Sequence, residues 1–163
     1  MSAMPFLRYL MLLALIVWLG GLIFFAFVLA PTAFSVLPTR HLAGNLVARS
    51  IDILHWMGLI AGIVYLASSV VYARVSTGTF APFAARHWIV FLMLALTSVS
   101  QFGVVPRMAA LRASMGEIDS VPLDYPVRIQ FDALHVWSTR LEGGVLLLGL
   151  VATYLTSSAW SRH

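Results

Sequence analysis

The chain alternates four long apolar blocks with short, more polar connections. The blocks run roughly over residues 6–30, 53–73, 88–105 and 134–155. A helix needs about 20 apolar residues to cross the hydrocarbon core of a bilayer, and only the third block falls slightly short. No long polar region remains between them. The pattern therefore predicts an all-α integral membrane protein, with residues 1–163 forming a single four-span membrane domain. Its architecture is a four-helix transmembrane bundle.

The first block has some features of a signal peptide. Its apolar core, Tyr9 to Ala30, is longer than the usual ~7–15 residues, and cleavage after Ala30 would fall before Pro31, a poor site. It is expected to stay as a permanent span. Pro106 is a favoured first helical residue. After it, Met108, Leu111 and Met115 share one face and Arg107, Arg112 and Ser114 lie elsewhere. This predicts a short interfacial helix over about 106–115, ended by Gly116. Pro122 and Pro126 then favour an extended return.

Composition agrees with this pattern. Hydrophobic residues make up 61% of the chain and charged residues 10%, against about a quarter charged in soluble domains. Cysteine is absent, which excludes disulfides, iron–sulfur clusters and thiolate metal sites. The net charge of +4 comes from ten arginines with no lysine. They are scattered through the connections, without the clustering that marks nucleic-acid binding, so no nucleic-acid partner is expected. Four crossings put Arg8, Arg74, Arg86 and Arg162 on one side. Arg40, Arg49, Arg107, Arg112 and Arg128 then lie on the other. Four against five sets no orientation. The expected partner is the lipid bilayer, with room for a homo-oligomer or a membrane partner. The expected location is multi-pass, in the plasma membrane or the inner membrane of a bacterium.

The two halves echo each other. Phe34, Val36 and Pro38 align with Phe102, Val104 and Pro106. Asp52, Leu54 and His55 align with Asp132, Leu134 and His135 after a 12-residue insertion near "MGEIDSVPLDYP". The echo suggests two duplicated helical hairpins in parallel orientation, as in parallel transporter repeats. Chance matching in a low-complexity apolar chain is the alternative.

Polar residues gather on single faces of the spans. His135, Ser138, Thr139, Glu142, Gly149 and Thr153 fall in one stripe of the fourth span at helical spacing. His87, Leu94, Ser98, Gln101 and Val105 form another on the third. On the second, Asp52 and His55 lie beside the small residues Gly58, Gly62 and Ser69. These faces are expected to meet inside the bundle, with Gly58-x-x-x-Gly62 allowing close helix approach. Glu142 carries the largest penalty, because a charge at mid-membrane costs about 2.5–3.5 kcal/mol on insertion scales. Arg140, two residues away, points elsewhere on the helix. It must either snorkel or pair across helices.

The Asp-x-x-His pairs, Asp52/His55 and Asp132/His135, admit three readings. Haem b ligated from both sides by His55 and His135 is one, with Gln101, Glu142 and Arg140 around it and Arg49 or Arg128 near the propionates. A divalent metal ion held by Asp52, His55, Asp132 and His135 is the second; it resembles the carboxylate-plus-histidine plan of di-iron bundles, and the same residues would serve a cation pathway. In the third, each aspartate favours a helix start and each histidine sits at headgroup level, in a ligand-free packing or partner-binding protein. His41, His87 and His163 read as loop or interface histidines. Nothing in the residues assigns an enzyme activity.

The segments "WLGG" at 18–21, "APTAF" at 30–34, "LHWMG" at 54–58, "QFGVVP" at 101–106 and "FDALHVWS" at 131–138 together resemble the transmembrane protein 205-like family of small four-span proteins. The resemblance covers most of the chain and implies the fold, not an activity. A weaker likeness, chiefly Trp-Leu-Gly-Gly, is to copper-resistance-type domains and haem-containing four-span protoporphyrinogen oxidases. That likeness implies haem or copper. The chain lacks the first-span histidine of the oxidase pattern, so no oxidase activity is carried over. The leading expectation is haem b in a redox role.

Overall fold

A computed structural model describes residues 3–77 and 84–160. The chain forms α1 (Ala3–Phe24), α2 (Ala30–Val36), α3 (Arg40–Thr77), α4 (Ala85–Val99), α5 (Val105–Met115) and α6 (Pro126–Trp160). No strand occurs among the described residues. Four helical rods are long and apolar enough to cross a membrane: Ala3–Val36, Arg40–Ser76, Ala85–Met115 and Pro126–Ala159. α1 packs chiefly on α3, and α4 chiefly on α6. Contacts of α3 with α4 and of α1 with α6 close the ring. This is the expected all-α bundle of two hairpins.

Two of the rods contain a widened turn. π-Helical turns at Phe25–Leu29 and Ser100–Val104 join α1 to α2 and α4 to α5. In each, the backbone N–H that closes the turn reaches back five residues, Ala30 to the Phe25 carbonyl and Val105 to the Ser100 carbonyl. The next residue is a proline in both cases, Pro31 and Pro106. Proline has no N–H and its ring crowds the preceding turn, so the helix is disturbed just before it. A π turn takes up that disturbance without breaking the rod.

This geometry corrects two expectations. The segment 106–115 is helical and ends where expected, at Gly116 with φ 65°, but it is not separate: α5 continues the third rod. The structural echo between the hairpins pairs Pro31 with Pro106, whereas the sequence alignment paired Pro38 with Pro106.

The helices also outrun the apolar blocks on one side. α3 has 38 residues and α6 has 35, about 57 and 52 Å at 1.5 Å per residue. A hydrocarbon core is about 30 Å thick. The first turns of α3 and α6, with α2 and α5, therefore project beyond one membrane face as a helical cap. Arg112 ties this cap together, donating to the Gly44 carbonyl at 2.7 Å while its guanidinium lies over Phe131.

The core below the cap is packed on bare backbone. Met11, Leu15, Trp18, Tyr65, Val90, Met93 and Val145 are buried together. A Cβ on Gly58 would overlap the Trp18 indole, and one on Gly62 would meet Leu94 at 2.6 Å. The Gly58/Gly62 stripe thus lets α1 and α4 close on α3, as its spacing predicted.

The topology has a direct test. Single cysteines at Ser50 and Ser120 are expected to react with an impermeant thiol reagent from the same side of the membrane, and one at Ser157 from the opposite side. Background is nil because the chain has no cysteine. Labelling of Ser50 and Ser120 from opposite sides would overturn the four-span topology.

Candidate functional site

The site grows from α3, where His55 faces inward and is 1% exposed. Imidazole buried this far must find partners for both nitrogens. Nδ1 lies 2.8 Å from Gln101 Oε1, and Nε2 lies 2.7 Å from Glu142 Oε1. One partner comes from the π turn between α4 and α5, the other from α6. Ser100 Oγ also donates to Glu142 Oε1, at 3.1 Å.

The widened turn explains how consecutive residues serve one site. In a regular helix neighbours point about 100° apart. In the Ser100–Val104 turn, Ser100 and Gln101 are both buried, one on Glu142 and the other on His55. π turns recur at functional positions for this reason.

The chain of contacts continues outward. Gln101 Nε2 donates to Asp52 Oδ1 at 2.7 Å, and Asp52 Oδ2 accepts from Arg49 Nη1 at 3.0 Å. The Arg49 side chain is 76% exposed, that of Asp52 27% and that of Glu142 15%. A continuous polar line therefore runs from the capped face to a carboxylate inside the bundle.

The line also settles proton positions. Because the Gln101 amide nitrogen is committed to Asp52, its carbonyl oxygen must face His55, and Nδ1 must carry a hydrogen to donate to it. A single proton then remains for His55 Nε2 and Glu142. Imidazole with carboxylic acid and imidazolium with carboxylate are its two forms, and both are neutral overall. Glu142 Oε2 and Thr97 Oγ1 are buried with no hydrogen-bond partner. Thr97 stands one helical turn deeper on the same side of α4 as Ser100 and Gln101.

Of the residues singled out from sequence, the structure unites His55, Gln101, Glu142 and Asp52. His135 does not join them: it is exposed on α6. His55 pairs with Glu142, seven residues further along α6, so His135 stands about 10 Å further out along the helix. The expectation that His55 and His135 share a depth is corrected by this register. Asp132 accepts from Arg128 Nε at 3.0 and 3.2 Å in the cap. Arg140 is exposed, with its guanidinium 5.6 Å from the Trp137 ring centre, the snorkelling outcome.

The residues of the two cofactor expectations are not brought together as those readings pictured them. Both nitrogens of His55 are engaged, and its proposed haem partner points outward. Among the described residues no three His, Asp or Glu side chains gather as a metal set, so Asp52, His55, Asp132 and His135 do not assemble. His87 is also corrected, from an interface residue to a buried one bonded to Ser69 Oγ at 2.5 Å. His163 lies outside the described residues.

Sequence reasoning missed Ser100, and it placed Arg49 and Arg128 near haem propionates, whereas each pairs with an aspartate of its own helix. The arginines were visible as i,i+3 and i,i+4 partners of the two aspartates. Ser100 carried no such signal, because regular helical spacing does not allow for the π turn.

The model of the family described as a domain of unknown function, DUF4149, matches residues 13–117. The chain belongs to the DUF4149 family. The matched segment holds Asp52, His55, Ser100 and Gln101, while Glu142 lies beyond it. No curated protein and no solved structure matches the chain. The likeness to transmembrane protein 205-like proteins rests on the quoted motifs alone.

Proposed function

We propose that this DUF4149 protein binds and releases a proton at a site inside its bundle, with exchange from the capped membrane face, on the side of Asp52. The observation that supports this is the pairing of His55 Nε2 with Glu142 Oε1 at 2.7 Å, two ionisable groups sharing one proton on different helices. Ionisable residues within spans are costly, and they mark proton relays and ion pathways. The reading takes up the cation-pathway alternative. Haem b is less favoured, because iron would have to displace Gln101 or Glu142 from His55.

A ligand-free reading also has an observation in its favour. Each nitrogen of His55 and Gln101 in the site already has a protein partner, so the same network would pin three helices in one register.

Infrared difference spectroscopy on the detergent-purified protein separates the two. Proton exchange predicts a carboxylic-acid carbonyl band whose intensity follows bulk pH and which Glu142→Gln removes. Slower exchange is expected in Asp52→Asn, which removes the acid nearest the face. A spectrum unchanged by pH, or a titrating band that survives Glu142→Gln, would overturn the proposal and leave the packing reading.

A further inference from the structure

The helical cap is charged on three of its four pieces. α3 brings Arg40, Arg49 and Asp52, α5 brings Arg107 and Arg112, and α6 brings Arg128 and Asp132. α2, with the sequence APTAFSV, brings no charge. The apolar surface of the first rod therefore continues past its apolar block, which ends near Ala30. Val36 stands six residues further on, about 9 Å at 1.5 Å per residue, and is 72% exposed.

A groove of about 330 Å³ follows this surface where the rod meets α3. Phe24, Val28, Thr32 and Val36 line it at intervals of four residues, and Leu46 lines it from α3. Thr32 is the only polar residue among the described ones that line it. Its lower end lies in the span and its upper end in the cap. From Phe24 to Val36 the helix rises about 18 Å. Spread over that length, the volume corresponds to a cross-section of about 18 Å². Carbon atoms in contact sit about 4 Å apart, so one hydrocarbon chain fits. An α-helix, at least about 10 Å across with its side chains, does not.

We propose that this groove holds one acyl chain of a membrane phospholipid, raised beside α2 above the edge of the hydrocarbon core. At its lower end Phe24 and Val28 are exposed on the lipid-covered surface of the rod, so a chain enters the groove without crossing water. There it gains little, because lipid tails are as apolar as leucine. The gain comes at the upper end, where the chain covers Val36, Leu37 and Leu46, which would otherwise meet water. An apolar stretch longer than the hydrocarbon core is met by local adjustment of the bilayer, and the groove gives that adjustment a fixed place. Among the described residues no charged one lines the groove, so occupancy is independent of the lipid headgroup.

The test uses the full chain in bilayers containing a phospholipid with a photoreactive diazirine at the middle of one acyl chain. In an undisturbed bilayer that position stays within the hydrocarbon core. Adducts at residues 32–37 and at Leu46 are therefore expected only from a raised chain. They should form equally with phosphatidylcholine and phosphatidylglycerol, and added salt should not reduce them. Val36→Gln/Leu46→Gln, which changes two exposed side chains, should lower these adducts at least several-fold. Thr32→Trp should do the same by filling the groove. Leu123→Gln/Ile129→Gln, an equal exchange at exposed positions of the cap outside the groove, should leave them unchanged. Adducts confined to the spans, adducts that depend on headgroup charge, or equal loss in the two double variants would overturn the proposal. A near-complete yield of disulfide-linked dimer from a single cysteine at Val36 would overturn it too, by seating a second copy in the groove. None of these outcomes bears on proton exchange at His55 and Glu142.

Discussion

Glu142→Leu is expected to destabilise the bundle in detergent by about 3–5 kcal/mol, the range for removing one partner of a buried ion pair. The cause is local. Leucine leaves His55 Nε2 and Ser100 Oγ without their shared acceptor, in a region where water cannot replace it. Glu142→Gln should cost only about 1 kcal/mol, because the two hydrogens of the amide nitrogen can be donated to an unprotonated Nε2 and to the Ser100 hydroxyl, which turns to accept. Coupling should also be visible. His55→Gln combined with Glu142→Gln should differ from the sum of the single effects by about 0.5–3 kcal/mol. Reversible unfolding in mixed micelles measures all of these. A Glu142→Leu protein as stable as the parent would mean that Glu142 is not held within the bundle.

Gly58→Ala should be the most damaging single methyl addition on α3, at about 1–3 kcal/mol. Its new Cβ would fall on the Nε1, Cε2 and Cδ1 atoms of Trp18. Trp18 is 2% exposed and has nowhere to withdraw without opening the α1–α3 interface. Gly20→Ala is the control, since a Cβ there meets nothing within 4 Å. It should be neutral or stabilising by up to about 1 kcal/mol, because alanine is the better helix former. In a Trp18→Phe background, which replaces the indole with a smaller ring that can shift more easily, Gly58→Ala should cost less than in the parent. Equal costs in both backgrounds would show that the indole is not what closes on Gly58.

The membrane class, the number of spans and their helical nature were legible in the chain before any folding was known. These follow from one-dimensional facts: the length of an apolar run against the thickness of hydrocarbon, and the need to satisfy backbone hydrogen bonds within each segment. The sequence also marked His55, Gln101 and Glu142 as residues out of place in hydrocarbon, and Gly58 and Gly62 as a point of close approach. Tertiary structure alone decided which of these residues meet. The repeated Asp-x-x-His spelling made His135 the natural mate of His55, yet α6 enters the bundle about two turns earlier than its apolar block begins. Glu142 thereby comes to the depth of His55 and His135 is carried out to the surface. Ser100 joined the site through a π turn whose cause, Pro106, was readable, but whose shift of the helical face was not. Apolar composition is additive along the chain and so can be read residue by residue. The register between two rods depends on where connections and prolines let each begin and turn, and that becomes definite only when the helices pack.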